Sequence, residues 1–194
     1  FQMYMANMKS IFMDMIKNTD MVIFNRCKKE DPLPTYRRGI KVANQRAEVI
    51  FEDEEGELGD IFQDEMPFDM NAPVIEILPE DYGIWFVDAM DHPENYEGKT
   101  VKFKARVMKP RGMGSKFFVP GRTAMTCCAD DTTFLGYVCK SAYAPKLTPG
   151  EWVEVTAKVG IEKRNEYQGE EGIVLAAEHV EQCDPLEDEM VYFN

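Results

Sequence analysis

A chain of 194 residues with 44% apolar side chains suits one domain with an appendage or two small domains. At that length roughly 70% of the unfolded surface is buried, so neither disulfides nor metal are needed for folding. A net charge of −13 disfavours nonspecific nucleic-acid binding, no run approaches the ~20 apolar residues of a membrane helix, and five cysteines without a Cys-x-x-Cys pair, beside two histidines, give a zinc finger little support.

Met5, Met8, Phe12, Met15 and Ile16 fall at helical spacing, so residues 1–24 read as a Met-rich helix followed by an apolar tail. Such a stripe is core or docking surface before it is a soft-metal site, because methionine fills irregular gaps. The run Asp31-Pro-Leu-Pro34 ends any helix and opens a linker. Residues 42–51 can hold a strand, and the acid-rich residues 52–64 read as a loop or partly disordered connection. From Val74 the pattern sharpens: a short strand to Leu78, then a helix opened by Pro79-Glu-Asp81 and ended by His92-Pro93.

Five strand candidates follow. Val101, Phe103, Ala105 and Val107 alternate with Lys102, Lys104 and Arg106, a half-buried strand with a basic outer face. After the turn Arg111-Gly-Met-Gly114 comes residues 116–126, bent at Pro120-Gly121, then 134–141, then 153–161 with the clearest period-two alternation, then 173–180. Five short strands with Gly/Pro turns and a strand–helix lead-in predict a mainly β fold with some α: a five-stranded OB-like barrel over residues 73–194, preceded by an N-terminal helical and acidic linker region over 1–72. A sandwich is the alternative.

Charge is unevenly spread. Residues 1–50 carry a net +4, 51–98 a net −16, 99–146 a net +8 and 147–194 a net −9. The +8 block is either an anion-attracting face or basic strands compensated by acidic neighbours. Within it lies Arg122-Thr-Ala-Met-Thr-Cys-Cys-Ala-Asp-Asp131, two adjacent thiols and two carboxylates after a strand-like segment. Adjacent strand residues face opposite ways, so Cys127 and Cys128 share a ligand only where the chain leaves strand geometry. Three readings stay open: small buried thiols, a disulfide from Cys127 or Cys128 to Cys139 on the next strand, or a soft-metal site of Cys127, Cys128 and Cys139 with Asp130 or Asp131, zinc being one candidate. Asp130 and Asp131 equally suit a turn cap, and Arg122 can pair with either or with an anion. Phosphate loops, the Gly-x-Ser-x-Gly elbow and the dinucleotide fingerprint are absent.

Asn95-Tyr-Glu-Gly-Lys99, Met125-Thr-Cys-Cys-Ala-Asp130, Phe134-Leu-Gly-Tyr-Val-Cys139, Trp152-Val-Glu-Val155 and Val191-Tyr-Phe193 together make residues 74–193 resemble the C-terminal domain of the DUF1980, or YcgQ-like, family of permease-subunit proteins. That family's pattern usually continues Ala-Ala-Asp-Ala where this chain has Ala129-Asp-Asp131. The resemblance implies a membrane-associated full-length protein whose hydrophobic helices are not in this chain, with a multi-spanning permease subunit as partner, and it carries no enzymatic activity.

The expectation is therefore a non-catalytic binding or accessory module, nucleic acid being a disfavoured partner. One alternative is a thiol-dependent redox protein using Cys127 or Cys128 with Cys139, its thiolate favoured by Lys102, Lys104, Arg106 and Arg122. The other is an OB domain binding an anionic ligand or a single strand, with those four cations as anion contacts beside Phe117 and Phe118.

Overall fold

The computed structural model describes residues 2–28, 30–59, 66–128 and 131–192, with side chains described for all of these except 2–7 and 126–128. Among the described residues there are three α-helices and ten strands: α1 (Gln2–Ile16), β1 (Met21–Phe24), α2 (Leu33–Ala43), β2 (Glu48–Phe51), β3 (Ile75–Glu76), α3 (Tyr82–Asp91), β4 (Thr100–Met108), β5 (Phe117–Cys128), β6 (Asp131–Gly136), β7 (Val138–Lys140), β8 (Trp152–Lys163), β9 (Glu171–Gln182) and β10 (Met190–Val191). They form two compact units. The first holds residues 1–65, 124–133 and 192–194, and the second holds 66–123 and 134–191. The sequence division at 72/73 thus differs from the observed one, which also assigns the tip of the β5–β6 hairpin to the first unit.

In the first unit β1 and β2 pair in parallel, Met21 opposite Glu48 through Phe24 opposite Phe51, with α2 as the crossover. Met13, Ile16, Ile40 and Ala47 make its core. Phe24 stacks on Phe51 at 5.1 Å and on Tyr36 at 5.7 Å between centroids. The Asn44 amide donates to the carbonyls of Ile16 and Thr19 at 2.8 Å each, tying the end of α2 to the end of α1. The Asp31–Pro34 run does not open a linker: Pro32 is the N-cap of α2 and Pro34 sits in its first turn, where a missing N–H costs nothing. The apolar tail after α1 is β1, and the proposed strand over 42–51 is the end of α2 followed by β2.

The second unit is the predicted barrel. β4 pairs β8, β8 pairs β9 and β7 pairs β5, all antiparallel; β9 pairs β7 in parallel, and β5 returns to pair β4. That ring is closed, with the strand order and lone parallel pairing of an OB fold. Alternation fills it: Val101, Phe103 and Ala105 of β4, Val153, Val155 and Ala157 of β8, and Ile173 and Leu175 of β9 are all buried. α3 closes one end. Trp85 lies 4.8 Å from Phe103 and edge-on to Tyr137 at 5.6 Å, and the Tyr137 hydroxyl donates to the Phe86 carbonyl. A register shift between Thr156 and Ala157 supplies the local twist that closure of a small barrel needs.

The bend in β5 is the tightest point. A Cβ on Gly121 would stand 2.3 Å from the Leu135 carbonyl oxygen, and one on Gly136 would stand 2.7 Å from the Pro120 carbonyl oxygen. The backbones of β5 and β6 therefore touch with no room for any side chain. Gly121→Ala is expected to cost more than about 3 kcal/mol in urea unfolding. Gly160→Ala, whose Cβ meets nothing nearer than 3.7 Å, is expected to cost less than about 1 kcal/mol. Equal unfolding midpoints for the two variants would refute the close approach.

Candidate ligand cleft

Two connections meet beside the start of β5. The first, residues 109–116 between β4 and β5, carries Lys109, Arg111 and Lys116 and no acid. The second, residues 164–170 between β8 and β9, turns through Gln168 and Gly169, both at positive φ. Barrel closure makes them neighbours, and an open cleft of about 580 Å³ lies between them, lined by residues 110–114, Phe117 and residues 163–166. This volume is in the usual range for small-molecule sites.

At the cleft the Arg164 guanidinium lies 4.4 Å from the centroid of the Phe117 ring, a cation–π stack. Glu166 holds it in a fork, Nε to Oε2 at 3.2 Å and NH2 to Oε1 at 2.9 Å, and Glu162 adds a weaker pair at 3.7 Å. The hydrogen bond to Glu166 raises the Arg164 pKa and lowers that of Glu166, so this pair stays ionised. Lys109 is engaged elsewhere: its Nζ donates to the carbonyls of Ala144 and Leu147 at 2.6 Å. Arg111, Lys116 and Lys163 are exposed, as is Lys140, which stands directly opposite Phe117 in the β5–β7 register. Among the described residues none of these four cations has a hydrogen-bond or ion-pair partner.

The residues singled out from sequence are dispersed. Arg122 is not an anion contact: it is 2% exposed and donates to the carbonyls of Pro79, Asp188 (3.0 Å) and Met190 (3.1 Å), with the Tyr82 ring 5.6 Å from its guanidinium carbon. Burial lowers its pKa, and Tyr82 and Asp188 act the other way. It fastens the segment before α3 to the chain near β10. Lys102 pairs with Glu154 at 3.0 Å and Arg106 with Glu189 at 3.6 Å; Lys104 stands opposite Glu154 in register. Two of the three β4 cations are therefore paired with acids, while Lys104 faces a carboxylate that Lys102 already holds. Phe118 is fully buried, so Phe117 alone of that pair reaches the cleft.

Cys139 has a free thiol, fully buried, and pairs in register with Phe118 at the beginning of β5, not with the Cys127–Cys128 end. Burial pushes its pKa up to about 12, the reverse of what a reactive or resolving thiol requires. Cys127 and Cys128 lie in β5, but their side chains, and Asp130 altogether, fall outside the described residues. Asp131 accepts a hydrogen bond from Lys17 at 3.0 Å, an ion-pair tie within the first unit. Among the described residues no three His, Cys, Asp or Glu side chains gather as a metal site, and no helix is long and apolar enough to cross a membrane. Arg111, Lys140, Lys163 and Arg164 were not legible as a group, because they come from two connections and the ends of two strands that only ring closure brings together; the acid-free loop 109–116 was the available signal.

Ring closure and strand order together define an OB-fold domain, with an open cleft between its β4–β5 and β8–β9 connections. The chain belongs to the DUF1980 family: residues 57–193 match the DUF1980 C-terminal domain, which bears out the resemblance and extends it toward the N-terminus. No curated protein matches the chain. Among solved structures it is similar to the mitochondrial single-stranded DNA binding protein Rim1 of S. cerevisiae, with 10% identity over 45% of this chain and 97% of that one (TM-score 0.27). It is also similar to the aspartyl tRNA synthetase of Entamoeba histolytica, with 15% identity over 61% of this chain and 27% of that one (TM-score 0.30).

Two outcomes follow from the site residues. Cys139 should resist iodoacetamide at pH 8 in the folded chain and react at once in urea, since reactivity follows the thiolate fraction and access; peptide mapping showing native alkylation would contradict its burial. Arg122→Met should lower stability by about 2–4 kcal/mol in chemical unfolding, because three carbonyls lose their donor. An unchanged midpoint would show that these contacts are dispensable.

Proposed function

We propose that this domain is a non-catalytic binding module that seats an anionic ligand between the 109–116 and 163–170 connections. The observation that carries the reading is the convergence there of Arg111 and Lys163, exposed and unpaired among the described residues, on a cleft floored by the Phe117–Arg164 stack. Cations that lack an internal partner are free to meet a ligand charge, whereas Lys102 and Arg106 of β4 are already paired. The fold supports the reading as well: OB barrels place ligands on the second and third strands and on the two connections that flank them, here β5, β7 and these loops. Membership in the DUF1980 family supports placing the domain in a membrane-associated assembly beside a multi-spanning permease subunit, as the collecting part of that assembly.

The test is a titration of the isotope-labelled chain with inorganic polyphosphate, followed by amide chemical shifts. Shifts should be confined to residues 109–117 and 163–170. They should vanish in the Arg111→Glu, Lys163→Glu double variant and weaken steeply with salt. Shifts centred on β4, or unaffected by the double variant, would overturn the assignment.

A further inference from the structure

We infer that the ligand of this cleft is single-stranded nucleic acid, a conclusion that rests on the anion-binding reading above and specifies its chemistry. Three observations narrow the class. First, the cations form a track and not a single pocket. Arg111 and Lys163 line the cleft, Lys116 immediately precedes Phe117, and Lys140 faces Phe117 across the β5–β7 pairing. A track suits a chain of charges better than one compact anion. Second, the cleft is floored by a planar element. The Arg164 guanidinium is stacked on the Phe117 ring and held flat by the Glu166 fork. A plain polyanion has no use for such a plane, whereas a nucleobase stacks on aromatic and guanidinium faces alike. Third, the loop facing this plane has glycine at 112 and 114, and Gly112 takes a φ of +85° with nothing within 4 Å of a Cβ placed there. Its backbone can approach a ligand closely.

The chain's charge of −13 weakens long-range attraction but does not cancel the local one. Glu162 and Glu166 share Arg164, so this cluster keeps one negative charge against the four cations Arg111, Lys116, Lys140 and Lys163. A duplex hides its base faces, so the plane favours an unpaired strand.

The test uses the full chain and fluorescein-labelled oligo-deoxythymidine of about 15 nucleotides, the upper site size of one OB barrel, read by anisotropy. A duplex of equal length and inorganic polyphosphate serve as comparison ligands. The single strand should bind at least tenfold tighter than the duplex. Its affinity should fall with salt on a log–log slope near −3, about −0.7 for each of four cations. Arg111→Gln and Lys140→Gln should each flatten that slope by about 0.7. Arg164→Lys keeps the charge and loses the plane, so it should leave the slope unchanged and weaken binding about tenfold. If polyphosphate shifts the cleft amides while the oligonucleotide does not bind, or if Arg164→Lys binds like the parent, the ligand is a simple polyanion and this inference falls while the cleft assignment stands. If neither ligand binds, both fall.

Discussion

The structure of the second unit depends on one strand serving two neighbours. β5 starts beside β7, with Phe117 and Phe118 opposite Lys140 and Cys139, and a few residues later lies beside β4, with Val119, Pro120 and Gly121 opposite Met108, Val107 and Arg106. A straight strand cannot do this on a small ring. The change of neighbour falls between Phe118 and Val119, just ahead of Pro120 and Gly121, where proline offers no ladder donor and glycine lets the β6 backbone within contact distance. Without that change of neighbour the ring stays open. With it, the connection leaving β4 and the one leaving β8 are drawn to the same end.

Ring closure also sorts the charges. On β4, Lys102, Lys104 and Arg106 alternate with buried residues and lie beside β8, where Lys104 stands opposite Glu154 in register and Lys102 pairs with it diagonally. Such exposed pairs contribute little to stability, on the order of 0–1 kcal/mol, but they remove the field a ligand could feel. In the connection after β4 no partner strand runs alongside, and the cations there keep their field. The sequence block of net +8 thus contains two populations: a largely paired strand face, and a loop whose charge has no ion-pair partner among the described residues.

Alternation made the barrel strands readable, because period-two burial is a local property: Val101 to Val107 and Val153 to Ile161 are inside–outside ladders in the sequence and in the structure. Pro120-Gly121 was readable as a special point of β5, which runs unbroken through it while the β6 backbone comes within contact distance. The helix α2 was not, because Pro32 and Pro34 carry opposite meanings at the two ends of a helix, and only the first-turn position tells a start from a stop. The candidate site was the least readable. Arg111, Phe117, Lys140 and Arg164 are separated by six to twenty-four positions along the sequence, and no spacing rule predicts that two connections and the ends of two strands share one end of a barrel. The conspicuous cysteine run drew attention toward the other end of β5, while Cys139, its supposed partner, is sealed in the core opposite Phe118.

Two arginines show why residue type alone cannot assign a role. Arg122 and Arg164 both lie against an aromatic ring, Tyr82 and Phe117 respectively. Arg122 is buried; its two terminal nitrogens donate to main-chain carbonyls from distant segments, while its Nε is buried without a partner among the described residues. Desolvation there lowers its pKa, and removing it leaves acceptors without donors, so it acts as a fastening. Arg164 borders open space, and its fork partner Glu166 raises its pKa. A carboxylate partner fixes the guanidinium plane and cancels its net charge, which leaves stacking as the property Arg164 has to offer. In the binding reading proposed above, attraction falls to Arg111, Lys116, Lys140 and Lys163, and recognition to the plane beside them. On that reading the domain separates what draws an anion in from what distinguishes one anion from another.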